Sequence, residues 1–179
     1  MKKCAVFCGS RAGNHPEYLA SARKLGHAMA ERNIDLVYGG ASVGIMAAIA
    51  DAVLERGGKV TGVLPKFLSD REIAHEKLTE LYIVETMHER KRMIAELSDG
   101  FISLPGGIGT MEEYFEMLTM GALDQHKGKS GLLNVNDYYT PLIQFFDHMK
   151  DQGFIDPSSR KAMIVEEDPE AILDIIFSE

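Results

Sequence analysis

Phe101-Ile102-Ser103-Leu104-Pro105-Gly106-Gly107-Ile108-Gly109-Thr110-Met111-Glu112-Glu113 passes from an apolar strand-like run through a glycine turn straight into a helix start. Strands buried on both faces read as such continuous apolar runs, and in parallel sheets their helices follow after short connections. Outward from this joint the same kind of run recurs at Ala5 to Cys8, Ile34 to Tyr38, Val60 to Leu64, Leu81 to Val84, Gly100 to Leu104 and Gly131 to Val135. Stretches with helical spacing separate them. The alternation predicts an α/β fold: a Rossmann-like, doubly wound, mostly parallel sheet flanked by helices, in a single domain over residues 1–179. A Pro-initiated helix from Asp168-Pro169 is expected to lay Ile172, Ile175 and Ile176 on the core.

The composition agrees with one cored domain, at 179 residues, 45% hydrophobic and 26% charged. A formal net charge of −8 argues against a duplex-binding surface, so no nucleic-acid partner is expected and any anionic ligand needs a local site. Apolar runs such as Leu132 to Val135 fall far short of the roughly 20 residues that span a bilayer. Met1-Lys2-Lys3 leads directly into a strand pattern without a signal-peptide core, so a cytoplasmic protein with no membrane segment is expected. Cys4 and Cys8 on one extended strand would lie about 13 Å apart, out of disulfide reach, and are expected to be reduced. No metal-ligand spacing accompanies them.

Open α/β sheets bind ligands outside the carboxyl ends of their strands. Three such turns are rich in glycine or serine: Gly9-Ser10, Gly39-Gly40-Ala41-Ser42-Val43-Gly44 and Pro105-Gly106-Gly107-Ile108-Gly109-Thr110. Glycines admit close backbone approach to an anion, and the helix N-terminus beyond them offers free N–H groups. As a bare turn, the last stretch would have Thr110 as N-cap and Glu113 closing a capping box. That reading leaves the glycines and the adjacent Glu112-Glu113 pair unexplained.

Acids beside a phosphate seat call for a compensating cation. Met87-His88-Glu89-Arg90-Lys91-Arg92-Met93 supplies candidates. Met87, Arg90, Ile94 and Leu97 share one helix stripe, which turns Arg90 toward the core and leaves Arg92, Glu96 and Asp99 toward water. An inward arginine needs a carboxylate or a ligand phosphate as partner. His88 reads as a structural hydrogen-bonding residue. Neither the dinucleotide fingerprint nor a P-loop lysine is present.

Pro105-Gly106-Gly107-Ile108-Gly109-Thr110-Met111-Glu112-Glu113 resembles the P-G-G-x-G-T-x-x-E signature of the LONELY GUY family. Met87-His88-Glu89-Arg90-Lys91 resembles that family's M-H-x-R-K segment, and Gly39-Gly40 through Gly44-Ile45-Met46 resembles its second glycine turn. The resemblance implies hydrolysis of the N-glycosidic bond of cytokinin riboside 5′-monophosphates or AMP, without metal or organic cofactor, by a homodimer or larger homo-oligomer. By position it implies Arg90 and Glu113 as the catalytic pair. Gly106, Gly107, Ile108, Gly109 and Thr110 would hold the phosphate, with Gly9, Ser10, Gly39, Gly40, Met87, Lys91, Glu112, Glu72 and Thr119 completing the nucleotide contacts. Glu72 rests on the resemblance alone. The helix from Met111 to Leu123 is the candidate subunit interface.

In that chemistry the paired acids face an oxocarbenium-like transition state. Glu113 would stabilise the ribosyl cation or orient water, Arg90 would keep Glu113 ionised or assist the departing base, and Glu112 could exchange roles with Glu113. A non-catalytic carrier of a phosphorylated ligand, of the molybdenum-cofactor type, is the rival on a similar fold. A dinucleotide-dependent oxidoreductase is disfavoured by the missing fingerprint. A lysine decarboxylase would need pyridoxal phosphate and a Schiff-base lysine, for which no constellation is seen.

Overall fold

A computed structural model describes residues 2–69 and 74–178. In chain order they form β1 (Lys2–Phe7), α1 (Pro16–Glu31), β2 (Ile34–Tyr38), α2 (Gly44–Glu55), β3 (Val60–Pro65), the short α3 (Lys66–Ser69), β4 (Glu80–Val84), α4 (Met87–Glu96), β5 (Gly100–Ser103) and α5 (Ile108–Ala122). There follow β6 (Ser130–Leu133), α6 (Thr140–Asp151), α7 (Pro157–Ala162), β7 (Ile164–Glu166) and α8 (Pro169–Phe177).

The strands make one sheet in the order β4-β3-β2-β1-β5-β6-β7, each neighbouring pair parallel. The chain winds outward from β1 to β4, then returns to place β5 beside β1, so the order reverses between these two strands. Period-2 side-chain alternation divides the core accordingly. Cys4 and Val6 of β1 face one layer with Leu25 and Met29 of α1, Ile49 and Val53 of α2, and Ile172 of α8. Ala5 and Phe7 face the other with Ile94 of α4 and Met117 of α5. Tyr114, Leu132, Tyr139 and Phe146 extend the second side beneath α6.

The six strands expected from the sequence are present with end shifts of at most three residues, the largest at the start of β1, and β7 is an addition. Its three residues form a short parallel edge beside β6, too brief for a periodic signal. In α8, Asp168 caps the amides of Glu170 and Ala171, and Ile172 and Ile176 are buried. Ile175 is exposed instead, one residue off the stripe. Asp99 lies beyond the end of α4 and accepts the Lys3 N–H at 2.7 Å, tying α4's exit to β1. Cys4 and Cys8 are free thiols.

Helices α1 and α2 meet at Gly26, where a Cβ would lie 2.8 Å from Ala52 Cβ and 2.9 Å from Ile49 O. Backbone cannot yield as a side-chain end can, so Gly26→Val is expected to destabilise the fold by about 1–3 kcal/mol or more, read as a lowered midpoint in urea unfolding.

Candidate active site

The crevice between the carboxyl ends of β1 and β5 is a cavity of about 270 Å³. Phe7, Cys8, Gly9 and Ser10 form its β1 wall, and Gly39, with Met46 of α2, closes the β2 side. Met87 and Arg90 come from α4, and Gly107, Ile108, Gly109, Thr110, Glu112 and Glu113 from the start of α5. Sequence position alone left out Met46 and Cys8. The available signal for Cys8 was its place immediately before Gly9, at the end of a central strand.

Helix α5 begins at Ile108 with Gly107 as N-cap in extended conformation, and no side chain caps it. The expected capping box therefore does not form. Gly107 takes the cap place, which draws Thr110 and Glu113 inside the helix. First-turn amides of a helix have no intrahelical acceptor. Here that first turn lines the cavity, with the positive end of the helix dipole behind it. A Cβ at Gly107 or Gly109 would meet nothing within 4 Å. Packing therefore does not demand glycine at either place, and the space over the loop is open. At Gly106 a Cβ would fall 2.1 Å from Thr110 Oγ1, so the buried threonine folds directly over that glycine.

Arg90 reaches the cavity because α4 starts at a defined place: Thr86 and Glu89 form a reciprocal capping box. The arginine is 7% exposed. Its Nε donates to Val63 O at 3.1 Å and its Nη2 to Gly39 O at 2.9 Å, while Nη1 lies 4.0 Å from Met87 Sδ. Of the two partners expected, a carboxylate or a ligand phosphate, no carboxylate bonds to it among the described residues; these main-chain carbonyls fix the guanidinium without neutralising it. A Cβ on Gly39 would lie 2.0 Å from Nη2, the reason a glycine stands there.

Glu113 is partly exposed and faces this field. Burial pushes its carboxyl up to about 7, outweighing the opposing attraction of Arg90, with Glu112 adding repulsion. Arg90 thus moderates the shift rather than holding Glu113 at an ordinary carboxylate value. Burial, then the Glu113 charge, raise the Cys8 thiol as well, so it stays protonated at neutral pH.

The remaining predicted residues divide. Gly9 bridges the two central loops, donating to Pro105 O at 3.0 Å and accepting from Ile45 N–H at 3.1 Å. Glu112 stands at the rim. Lys91 lies behind the wall rather than in it: its Nζ is 3.0 Å from both Glu112 and Glu116, and those hydrogen bonds raise its pKa. Gly40, with φ of 84°, accepts the His75 N–H behind the wall. Gly106 lies beneath the loop. Thr119, exposed and two helical turns beyond Glu112, is not brought to the cavity. Exposed His88 makes no side-chain hydrogen bond among the described residues, against its structural reading, and Arg92 sits over Glu96 as a surface pair. Glu72 falls outside the described residues. No cluster of three or more metal-ligating side chains occurs among the described residues.

Residues 46–176 match a protein-family model described as "Possible lysine decarboxylase". The chain is 46% identical to a cytokinin riboside 5′-monophosphate phosphoribohydrolase of Rhodococcoides fascians over 99% of its length and 90% of that protein. It is 47% identical to an enzyme of the same name from Arabidopsis thaliana, over 91% of this chain and 75% of that one. Among solved structures, a molybdenum cofactor binding protein from Rippkaea orientalis superposes with a TM-score of 0.75 at 20% identity, covering 99% of this chain and 97% of the other. The molybdenum cofactor carrier protein of Chlamydomonas reinhardtii gives 0.74 at 20% identity, over 99% of each chain. These two likenesses are of fold.

Gly109→Ala is expected to leave the melting temperature unchanged or slightly higher, because alanine favours a helix. Calorimetry should show inorganic phosphate binding about tenfold weaker. Glu113 prefers its protonated form when folded, so its stabilising contribution is present below its unfolded value of 4.5 and is lost as pH rises through about 7. Glu113→Gln should therefore gain stability over the wild type between pH 5 and pH 8, by about 2 kcal/mol, in denaturant titrations at the two pH values.

Proposed function

The chain belongs to the LONELY GUY family, and from that membership we propose that it hydrolyses the N-glycosidic bond of purine riboside 5′-monophosphates, releasing free base and ribose 5-phosphate. The bases are adenine and its N6-modified, cytokinin-type derivatives. The observation that carries this reading is the convergence of three groups on one cavity: an uncapped glycine-rich helix N-terminus, a buried arginine fixed by main-chain carbonyls, and a carboxyl poised near neutrality.

The 5′-phosphate takes the amides at Gly107 to Thr110, with the α5 dipole as counter-charge. That anchor places the ribose over Glu113, whose ionised form stabilises the positive charge developing on the sugar and orients the attacking water. A value near 7 suits a group that must act as base at working pH. Arg90 keeps part of Glu113 ionised and directs its remaining N–H groups toward the departing base. Glu112, paired with Lys91 at the rim, stands outside the acid–base step. Met87 and Met46 supply polarizable apolar wall for a flat base.

A decarboxylase acting through pyridoxal phosphate needs a lysine at the reacting centre. The described wall contains none, and Lys91 is held by Glu112 and Glu116. A carrier role would leave the raised carboxyl beside Arg90 without purpose. The reading includes a cytoplasmic protein; among the described residues no helix is long and apolar enough to cross a membrane. It also includes a homodimer or larger assembly, for which the exposed Phe115 and Leu123 at α5 offer apolar surface.

Purified protein given AMP, N6-isopentenyl-AMP or adenosine, with no added metal, is expected to release base from the two monophosphates and not from the nucleoside. Chromatography of free base and ribose 5-phosphate reads the result, and nucleotide binding without base release would transfer the case to the carrier. Glu113→Gln should lower kcat at least about a hundredfold with KM within a few-fold of wild type. The wild-type kcat should rise with pH through about 7, following ionisation of Glu113; a rate that falls through that range would make the protonated acid the working form.

A further inference from the structure

Three consecutive carbonyls of the phosphate loop are each held, the outer two by phenols from outside the cavity and the middle one by Gly9 of its β1 wall. Leu104 O accepts the Tyr139 hydroxyl at 2.6 Å, Pro105 O accepts the Gly9 N–H at 3.0 Å, and Gly106 O accepts the Tyr138 hydroxyl at 2.5 Å. A trans peptide is planar and its C=O and N–H point in opposite directions. A carbonyl pinned on one side therefore aims the next amide to the other. With Gly106 O turned toward Tyr138, behind the loop, the N–H of Gly107 turns toward the cavity that Gly107 lines.

The two tyrosines arrive on a turn that carries backbone strain. Asn136 and Asp137 adopt consecutive left-handed conformations, with φ of 51° and 55°, which persist only where the surroundings over-determine them. The bracing is on hand. Asn134 is buried; its Oδ1 accepts the Tyr139 N–H at 2.7 Å and its Nδ2 donates to Thr140 Oγ1 at 3.2 Å. Thr140 Oγ1 donates to Asp137 Oδ1 at 2.9 Å. Tyr138 is then set edge-on against Tyr139 and Tyr18, at ring separations of 5.0 and 5.7 Å, although the residue is 41% exposed. Gly106 has no side chain with which to orient itself, and its neighbours Gly107 and Gly109 have nothing packed at their Cβ positions. The loop's peptide planes are thus set by partners behind it.

We propose that Tyr138 is a positioning residue for the phosphate seat: through the Gly106 carbonyl it fixes the Gly107 amide in the orientation that meets a phosphate oxygen, while Tyr139, holding Leu104 O ahead of Pro105, which has no N–H, only anchors the start of the loop. The assignment rests on the phosphoribohydrolase reading for the identity of the full substrate, and on the loop geometry alone for the phosphate. An amide already aimed at its anion avoids reorganisation on binding, so the loss should appear in affinity for phosphate-bearing ligands rather than in the chemical step.

Tyr138→Phe keeps the ring and its aromatic contacts while removing the hydroxyl, and Tyr138→Leu removes both. Calorimetry with ribose 5-phosphate, inorganic phosphate and adenine, beside steady-state kinetics on AMP, separates the contributions. Tyr138→Phe is expected to weaken ribose 5-phosphate and inorganic phosphate and to raise KM for AMP by roughly three- to tenfold, the range of one net hydrogen bond. Adenine affinity, kcat and its pH midpoint should stay within twofold of wild type, and Tyr138→Leu should weaken the phosphate ligands at least as much. Unchanged phosphate affinity in a folded Tyr138→Phe protein would overturn the proposal. So would parallel loss of adenine and phosphate binding, which marks general disruption of the site. If the wild type releases no base from AMP, the hydrolase reading falls, and the phosphate titrations still decide the role of Tyr138.

Discussion

The crevice depends on a topological constraint at the centre of the sheet. β1 and β5 are hydrogen-bonded neighbours, yet the helices that follow them pack on opposite faces, α1 with Cys4 and Val6 and α5 with Ala5 and Phe7. Their exit loops must diverge, and the diverging backbone leaves room that neither helix fills. The Gly9 amide on Pro105 O ties the loops at the base of the gap, and Gly9 O on the Ile45 amide ties in the start of α2. Arg90 then closes the side wall by bonding to carbonyls of β3 and of the turn after β2. The two Gly9 ties are main chain to main chain and the Arg90 bonds end on main-chain carbonyls, so the shape of the site is set largely by chain path.

In a chain of net charge −8, the charges around the glycine loop are unevenly divided. The acids nearest the loop are distributed by function of place. Glu112 and Glu116 share Lys91, which offsets their charge locally. Glu113 is left without such a partner, and burial rather than a neighbouring cation governs its proton affinity. Arg90 contributes a positive charge whose hydrogen bonds are used on carbonyls, so the charge itself stays available to the cavity. The compensating cation that the sequence called for is therefore split in two, one residue neutralising the rim and the other lining the cavity.

The glycines serve different ends although the sequence shows them as one type. Gly39 makes way for the Arg90 guanidinium and Gly106 for Thr110, whereas Gly107 and Gly109 face open space. The first two are demanded by the protein's own packing. The last two are demanded by nothing in the described protein, which is what a surface kept for a ligand looks like. Behind them, the hydroxyls of Tyr138 and Tyr139 occupy carbonyls that would otherwise be free to rotate toward the cavity.

The sequence by itself determined the doubly wound class, the positions of six strands and the three turns that meet at the cavity. All of these follow from periodicity and chain order, which are local properties. It also singled out Arg90, because a charge on an apolar stripe is anomalous wherever it stands. Its limits lay where the answer depends on distance through space. Thr110 read as a cap, but Gly107 took that place. Arg90 read as needing a carboxylate or a ligand phosphate, but within the protein the carbonyls of Val63 in β3 and Gly39 after β2 hold it. Lys91 read as a ligand contact, but two acids of another helix claimed it, and Thr119 lay too far along α5. The strand β7 and the support from Tyr138 and Tyr139 left no signal, being a three-residue edge and two phenols more than thirty positions from the carbonyls they hold. Only the tertiary structure decided these, because hydrogen-bond partnership, desolvation and the space beside a glycine are fixed by which segments pack together.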